Sequence, residues 1–258
     1  MNYHFIKGSK KGLLLFIHGN SSSSEIFNDI IESKKIAQSI LLVDLPGHGK
    51  SMNTQDQLND FSISSYSEKI TALIKKFDNE ILLIGNSLGG HIAIEIASDI
   101  PQLKGLVIFG TPPLKKPINF SEAYMPLPES QTFLNEFPTD IEIQEAANAA
   151  IYNINLAEEI IKIFKKANPE VRKAYAIDMT EGRLQNEFEI FTNLDIPKYI
   201  IAGSHDLSIN FNYLKLVANS CRNTCELIVF QNCGHYPSHE KPAEFLNTIQ
   251  SIANKVFK

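Results

Sequence analysis

The sequence predicts an α/β fold: a mostly parallel sheet flanked by helices, with a helical insertion. Three observations predict it. Apolar runs punctuated by turn residues recur at 13–17, 40–45, 81–86, 103–109, 198–202 and 226–230. Segments of helical length or longer separate them, as crossover connections between parallel strands require. Finally, 258 residues at 43% hydrophobic suffice for one large core, and chains of this class and length commonly form a single domain.

In chain order, Tyr3 to Ile6 adds a candidate edge strand ahead of the run at 13–17. Phe61 to Phe77 and Leu88 to Ile100 carry apolar residues at helical spacing, and Pro242 to Val256 reads as an amphipathic C-terminal helix opened by a proline. Regular alternation breaks between about Leu114 and Asn193, where helix-like segments are interrupted by Pro117, Pro126, Pro128, Pro138 and Pro169. The expected organisation is a core formed by residues 1–113 and 194–258, with residues 114–193 as a helical cap. This insertion is rich in apolar residues, among them Phe120, Tyr124, Met125, Leu127, Phe133, Phe137, Ile151 and Tyr152. An apolar underside implies a substrate with an apolar part, although packing onto the core would also use such residues.

The sharpest chemical signal is Ile81-Leu-Leu-Ile-Gly-Asn-Ser87-Leu-Gly-Gly90, an apolar strand running through Gly-x-Ser-x-Gly into a helix. In that context the serine sits on a tight, strained turn with its hydroxyl above the sheet edge, and Gly85 and Gly89 leave space that a Cβ would fill. Ser87 is therefore the candidate nucleophile. A serine hydroxyl needs a base, and the base needs an orienting acid. Tyr199-Ile-Ile-Ala-Gly-Ser-His-Asp206 and Glu226-Leu-Ile-Val-Phe-Gln-Asn-Cys-Gly-His235 each read as a strand ending in a loop that carries the required group. Asp206 is preferred over Asp195, which precedes a strand, and over Asp178, which lies in the insertion. His235, directly after a strand, is preferred over His205 and His239. An oxyanion hole completes the set: Leu88 N–H by its position after the serine, and Asn20 N–H from His18-Gly-Asn-Ser21, the loop after an early strand. The Asn20 side chain either adds a third donor or holds its turn. His18, Asp44, His48 and His91 are read as structural.

Composition excludes several classes. Net charge is −5 with no long basic run, so nucleic-acid binding has no electrostatic footprint. The apolar run at 13–17 is too short for a membrane span or signal core, and a soluble, cytoplasmic protein is expected. Cys221, Cys225 and Cys233 suit reduced thiols better than a disulfide scaffold. Their spacing with His235 is not that of a metal knuckle, so neither metal nor cofactor is expected.

The order Ser87, Asp206, His235, the His18-Gly19-Asn20 loop and Asp44-Leu-Pro-Gly-His-Gly-Lys-Ser51 together resemble the α/β-hydrolase family over nearly the whole chain. Within it, His18-Gly-Asn-Ser-Ser-Ser23, Ile26-Phe27, Ser87-Leu-Gly-Gly-His-Ile92 and Gly110-Thr-Pro-Pro113 are similar to the N-acyl-homoserine lactone hydrolases of that fold. The likeness implies a metal-free lactonase with a serine nucleophile and an apolar acyl tunnel under the cap. Some members use glutamate as the triad acid, where Asp206 stands here. The expected activity is hydrolysis of carboxylic esters or lactones through an acyl-enzyme. The expected partner is a small-molecule ester or lactone with an apolar acyl part, acted on by a monomer or homodimer. Two alternatives remain open: a carbon–carbon bond hydrolase of ring-cleavage products, which the absence of tryptophan disfavours, and a ligand receptor on a hydrolase scaffold. The same triad would support perhydrolysis, whereas dehalogenation needs a carboxylate at position 87.

Overall fold

A computed structural model describes residues 1–53 and 55–258. Seven strands form one sheet: β1 (Asn2–Ile6), β2 (Lys10–Ile17), β3 (Gln38–Asp44), β4 (Ile81–Asn86), β5 (Leu103–Phe109), β6 (Lys198–Gly203) and β7 (Cys225–Phe230), in the order β1-β3-β2-β4-β5-β6-β7. Only β1 runs antiparallel, paired with β3 from Asn2 opposite Asp44 to Ile6 opposite Ile40. The remaining pairs are parallel, so six neighbouring strands, β3, β2, β4, β5, β6 and β7, deliver their carboxyl ends to the same edge. Open α/β sheets place ligands at that edge.

The helices are α1 (Asn28–Glu32), α2 (Ile63–Ile74), α3 (Leu88–Ile96), α4 (Phe120–Ala123), α5 (Asp140–Ala150), α6 (Ala157–Lys166), α7 (Glu170–Thr180), α8 (Glu187–Asn193), α9 (Phe211–Asn219), α10 (Pro237–Glu240) and α11 (Pro242–Val256). Successive strand residues face opposite sides, and both sides are buried. Leu13, Leu15, Leu83, Leu106 and Ile108 pack with Tyr66 and Ile70 of α2, Ile92 of α3 and Val217 of α9. Leu14, Phe16, Ile84, Val107 and Phe109 pack with Phe27, Ile30 and, from α11, Phe245, Ile249 and Ile252.

Two expected helices are shorter than the periodicity suggested. The first begins at Ile63, because the Ser62 hydroxyl accepts from Ser65 N–H as an N-cap and the preceding Leu58–Phe61 is a separate 3-10 turn. The second ends at Ile96 and tightens into a 3-10 turn over Ala97–Asp99. Helices α4 to α8 lie between β5 and β6. Three of the insertion's five prolines fall at element starts: Pro128 opens a 3-10 stretch to Leu134, Pro138 precedes the Thr139 cap of α5, and Pro169 caps α7. Among the described residues no helix is long and apolar enough to cross a membrane.

One close backbone approach behind the site is at Gly89 in α3, where a Cβ would fall 2.2 Å from the Ile17 carbonyl oxygen at the end of β2. Backbone cannot yield there as a flexible side chain could. Gly89→Ala is expected to destabilise the fold by about 3 kcal/mol, lowering the melting temperature by roughly 6–12 °C in a calorimetric scan. An unchanged melting temperature would contradict this packing.

Candidate active site

Ser87 follows β4 and precedes the first residue of α3, with φ 50° and ψ −118°. This left-handed conformation is unfavourable for a residue with a Cβ and persists where neighbours over-determine it. Here Ser87 N–H donates to the Phe109 carbonyl at 2.9 Å, and its own carbonyl accepts from Gly90 N–H at 2.8 Å and the Thr111 hydroxyl at 2.9 Å. The turn is thereby pinned to β5, to the loop after it and to the first turn of α3. Leu88, at the start of α3, has an N–H with no intrahelical acceptor, at the end of the helix where partial positive charge collects.

Asp206 and His235 meet across the loops after β6 and β7. His235 Nδ1 lies 2.8 Å from Asp206 Oδ2. The other carboxylate oxygen accepts from the Ser208 hydroxyl at 2.6 Å and from Ser208 N–H at 3.1 Å. His205 N–H donates to the Cys233 carbonyl at 2.8 Å, joining the two loops, and His235 N–H donates to Ala150 at the end of α5 at 2.7 Å. On the ring's other side, Gly110 has φ +61°, and a Cβ there would lie 2.6 Å from His235 Cε1. The imidazole therefore stands over a position that must be glycine.

Burial alone would depress the His235 imidazole, but the charge of Asp206 and its hydrogen bond outweigh burial and hold His235 above the ordinary histidine value. For Asp206, burial opposes ionisation, yet His235 and the two bonds from Ser208 bring the carboxyl below its usual range. Such a pair titrates as a unit and keeps the carboxylate charged near neutrality.

The loop after β2 is fixed by two buried histidines. His18 Nδ1 lies 2.8 Å from the Gly19 carbonyl while Nε2 accepts from Leu45 N–H, and His48 Nδ1 lies 3.0 Å from the Pro46 carbonyl while Nε2 accepts from Ser21 N–H. Each ring thus uses one nitrogen as acceptor, and burial lowers both pKa values, that of His48 further. Asp44 accepts from Ser24 N–H and Lys50 N–H, closing the same turn. The Asn20 side chain does not close its own turn. Its amide nitrogen donates to the Phe133 carbonyl in the insertion at 2.7 Å, and Oδ1 is buried without a partner.

These pieces surround one cavity of about 560 Å³, lined by Ser87, His235, Asn20, Gly110 and Ser208 from the core. The insertion contributes mostly apolar walls, including Phe120, Met125, Leu127, Phe133, Leu134 and Met179. Of the apolar insertion residues singled out from sequence, Phe137 and Tyr152 instead face solvent, and Ile151 packs into the core. Among the described residues no group of three or more His, Cys, Asp and Glu side chains is arranged to hold a metal, and the three cysteines are free. Sequence reasoning missed Ser208, Gly110 and the Phe133 carbonyl. An Asp-x-Ser pattern at 206–208, which bonds its own backbone, was the one local signal available.

The arrangement presents an elevated serine, an imidazole oriented by a buried carboxylate, and backbone donors beside an apolar cavity, a set suited to acyl transfer. The alpha/beta hydrolase family model matches residues 14–248, and the chain belongs to that family. A pimeloyl-[acyl-carrier protein] methyl ester esterase of Wigglesworthia glossinidia brevipalpis is 27% identical over 268 residues, spanning 97% of this chain and 96% of that protein. A monoacylglycerol lipase of Mus musculus is 23% identical across 95% of this chain and 78% of its own. Among solved structures, the N-acyl homoserine lactonase AidH complexed with N-butanoyl homoserine superposes with a TM-score of 0.86 at 24% identity, over 99% of this chain and 93% of that one.

In an NMR titration, His235 should protonate with a midpoint above the ordinary value of about 6.5. Asp206→Asn should lower that midpoint, because burial then acts unopposed; a midpoint that does not move would contradict the pairing.

Proposed function

We propose that this chain is a serine hydrolase of carboxylic esters or lactones, working through an acyl-enzyme on substrates with an apolar acyl part, N-acyl-homoserine lactones among them. The observation that carries this reading is the opening of the Ser87 elbow and the Asp206-paired His235 into one apolar cavity. As Ser87 Oγ attacks the carbonyl carbon, His235 Nε2 takes its proton, and Asp206 stabilises the imidazolium so formed. The carbonyl electron pair moves to oxygen, where Leu88 N–H and Asn20 N–H are the candidate donors. Collapse expels the alkoxide, which takes the proton back from His235. Water, deprotonated by His235 in its turn, then releases the acid and frees Ser87. In a lactone the leaving alcohol stays tethered to the acyl group, and a single product results.

The family membership and the esterase and lactonase activities named for similar proteins support this chemistry, and the mostly apolar walls support an acyl chain. No carboxylate stands at position 87 for a displacement reaction. The residues of the elbow, Asp206 and His235 would be the catalytic set, with 114–193 acting as the cap that encloses the acyl chain.

The test is turnover of N-acyl-homoserine lactones beside p-nitrophenyl esters of matched acyl length. Wild-type protein should hydrolyse at least one series, and Ser87→Ala should lose roughly 10³-fold or more in kcat while retaining its melting temperature. Turnover that survives in Ser87→Ala would contradict the mechanism. Because only unprotonated His235 can accept the proton, kcat/KM should rise with pH through a midpoint above about 6.5.

A further inference from the structure

The segment Phe133 to Glu136, where the 3-10 stretch of the insertion leads towards α5, gives its backbone carbonyls to side chains distant in sequence. Asn20 Nδ2 donates to the Phe133 carbonyl at 2.7 Å. Arg172 of α7 donates from Nε to the Asn135 carbonyl at 2.8 Å and from Nη2 to the Glu136 carbonyl at 2.9 Å. Its Nη1 donates to the Ser21 hydroxyl at 3.3 Å, so the same guanidinium reaches the residue after Asn20. Two neighbours in the loop after β2 and one arginine of the insertion thus grip a single strap of backbone.

Each link is held from a second direction. The Phe133 ring lines the cavity and meets Phe164 of α6 edge-on, with centroids 5.6 Å apart, while the Arg172 guanidinium lies over the Phe164 ring at 4.6 Å. Ser21 has φ 53°, in the left-handed region, and its N–H donates to His48 Nε2 at 3.1 Å. The charge of Arg172 adds to burial in keeping that imidazole unprotonated, as an acceptor must be.

Arg172 is only 4% exposed, and among the described residues no carboxylate pairs with it; the Glu136 carboxylate pairs with Lys173 instead. Desolvating a cation without a counter-charge costs free energy that an apolar contact of similar size would not. What the guanidinium adds is direction, because its planar N–H groups hold several acceptors in one fixed geometry. The geometry so fixed is that of the strap against residues 20 and 21. Residue 20 also carries the N–H proposed above as an oxyanion donor, and it is that residue's own side chain that is tied to the strap.

We propose that Asn20, through its side chain, and Arg172 are positioning residues that tie the oxyanion hole to the insertion, setting the Asn20 N–H by way of the Phe133–Glu136 strap. The proposal rests on the serine hydrolase reading above and deepens it.

The experiment compares, by calorimetry, the affinities of hexyl trifluoromethyl ketone and hexyl methyl ketone. Ser87 Oγ adds to the activated carbonyl carbon of the first, its proton passes to His235 and the carbonyl electron pair moves to oxygen, so an oxyanion stands in the hole. The second fills the same cavity without an adduct. Wild type should bind the trifluoromethyl ketone roughly 10²-fold tighter or more. Asn20→Ala and Arg172→Gln should each cut that ratio about tenfold, with methyl ketone affinity within about twofold of wild type, and the double variant should lose little more than either alone. A ratio unchanged in Asn20→Ala, whatever its melting temperature, would overturn the proposal. A ratio lowered in Asn20→Ala but kept in Arg172→Gln would mean that the Asn20 side chain meets the oxyanion itself, and would overturn it too. Should Arg172→Gln not fold, Arg172→Lys, which keeps the charge but not the planar fork, takes its place with the same expected loss. Equal affinity of wild type for the two ketones, or a preference that survives in Ser87→Ala, would instead remove the serine hydrolase reading, and this inference with it.

Discussion

The structure depends on one constraint, the left-handed turn at Ser87 between β4 and α3. A backbone held in that region by a residue with a Cβ stores roughly 1–3 kcal/mol. It can be held only if the surrounding chain leaves no better arrangement. The Ser87 N–H is bonded to β5, its carbonyl is bonded by Gly90 and Thr111, and α3 presses against the end of β2 at Gly89. Both faces of the strands that bracket the turn are packed with apolar side chains, so the strain is borne by the whole core and not by the loop. In return the hydroxyl is lifted to the sheet edge, at the head of a helix whose first N–H groups are unpaired.

Around that turn the ring nitrogens of the buried histidines and the oxygens of Asp206 each have a defined partner. His18 and His48 act as neutral connectors within the loop after β2, where burial removes their tendency to protonate. His235 is driven the other way, because an ionised neighbour outweighs burial. Three imidazoles in one region thus take different protonation behaviour from different partners. Glycine at 110 leaves the space that the His235 ring occupies, and Ser208 holds the far oxygen of Asp206, so the pair is fixed from both ends.

Much of this was legible in the residues themselves. Leu13 to Ile17 and Ile81 to Ile84 read as strands because both faces are buried and no polar residue interrupts the run. Ser87, Asp206 and His235 could be singled out because each lies in the turn or loop that follows such a run. Helix ends were less legible: Phe61 is apolar and in phase with α2, but the Ser62 cap starts the helix after it. Least legible were bonds between the insertion and the core. Asn20 to Phe133, spanning 113 residues, and His91 to Glu187, spanning 96, leave no periodic trace, since a polar contact between distant segments depends on how the insertion folds back. Phe137 shows the converse, an apolar residue in a cap-like segment that stays largely exposed.

The account stands most directly on the reactivity of one hydroxyl. Treating the native protein with a fluorophosphonate and mapping the adduct by mass spectrometry measures that reactivity without any assumption about substrate. The account predicts one phosphonyl group per chain, on Ser87, with labelling lost when the protein is unfolded and strongly slowed in His235→Ala. An adduct on another residue, or labelling of Ser87 at the same rate without His235, would contradict it.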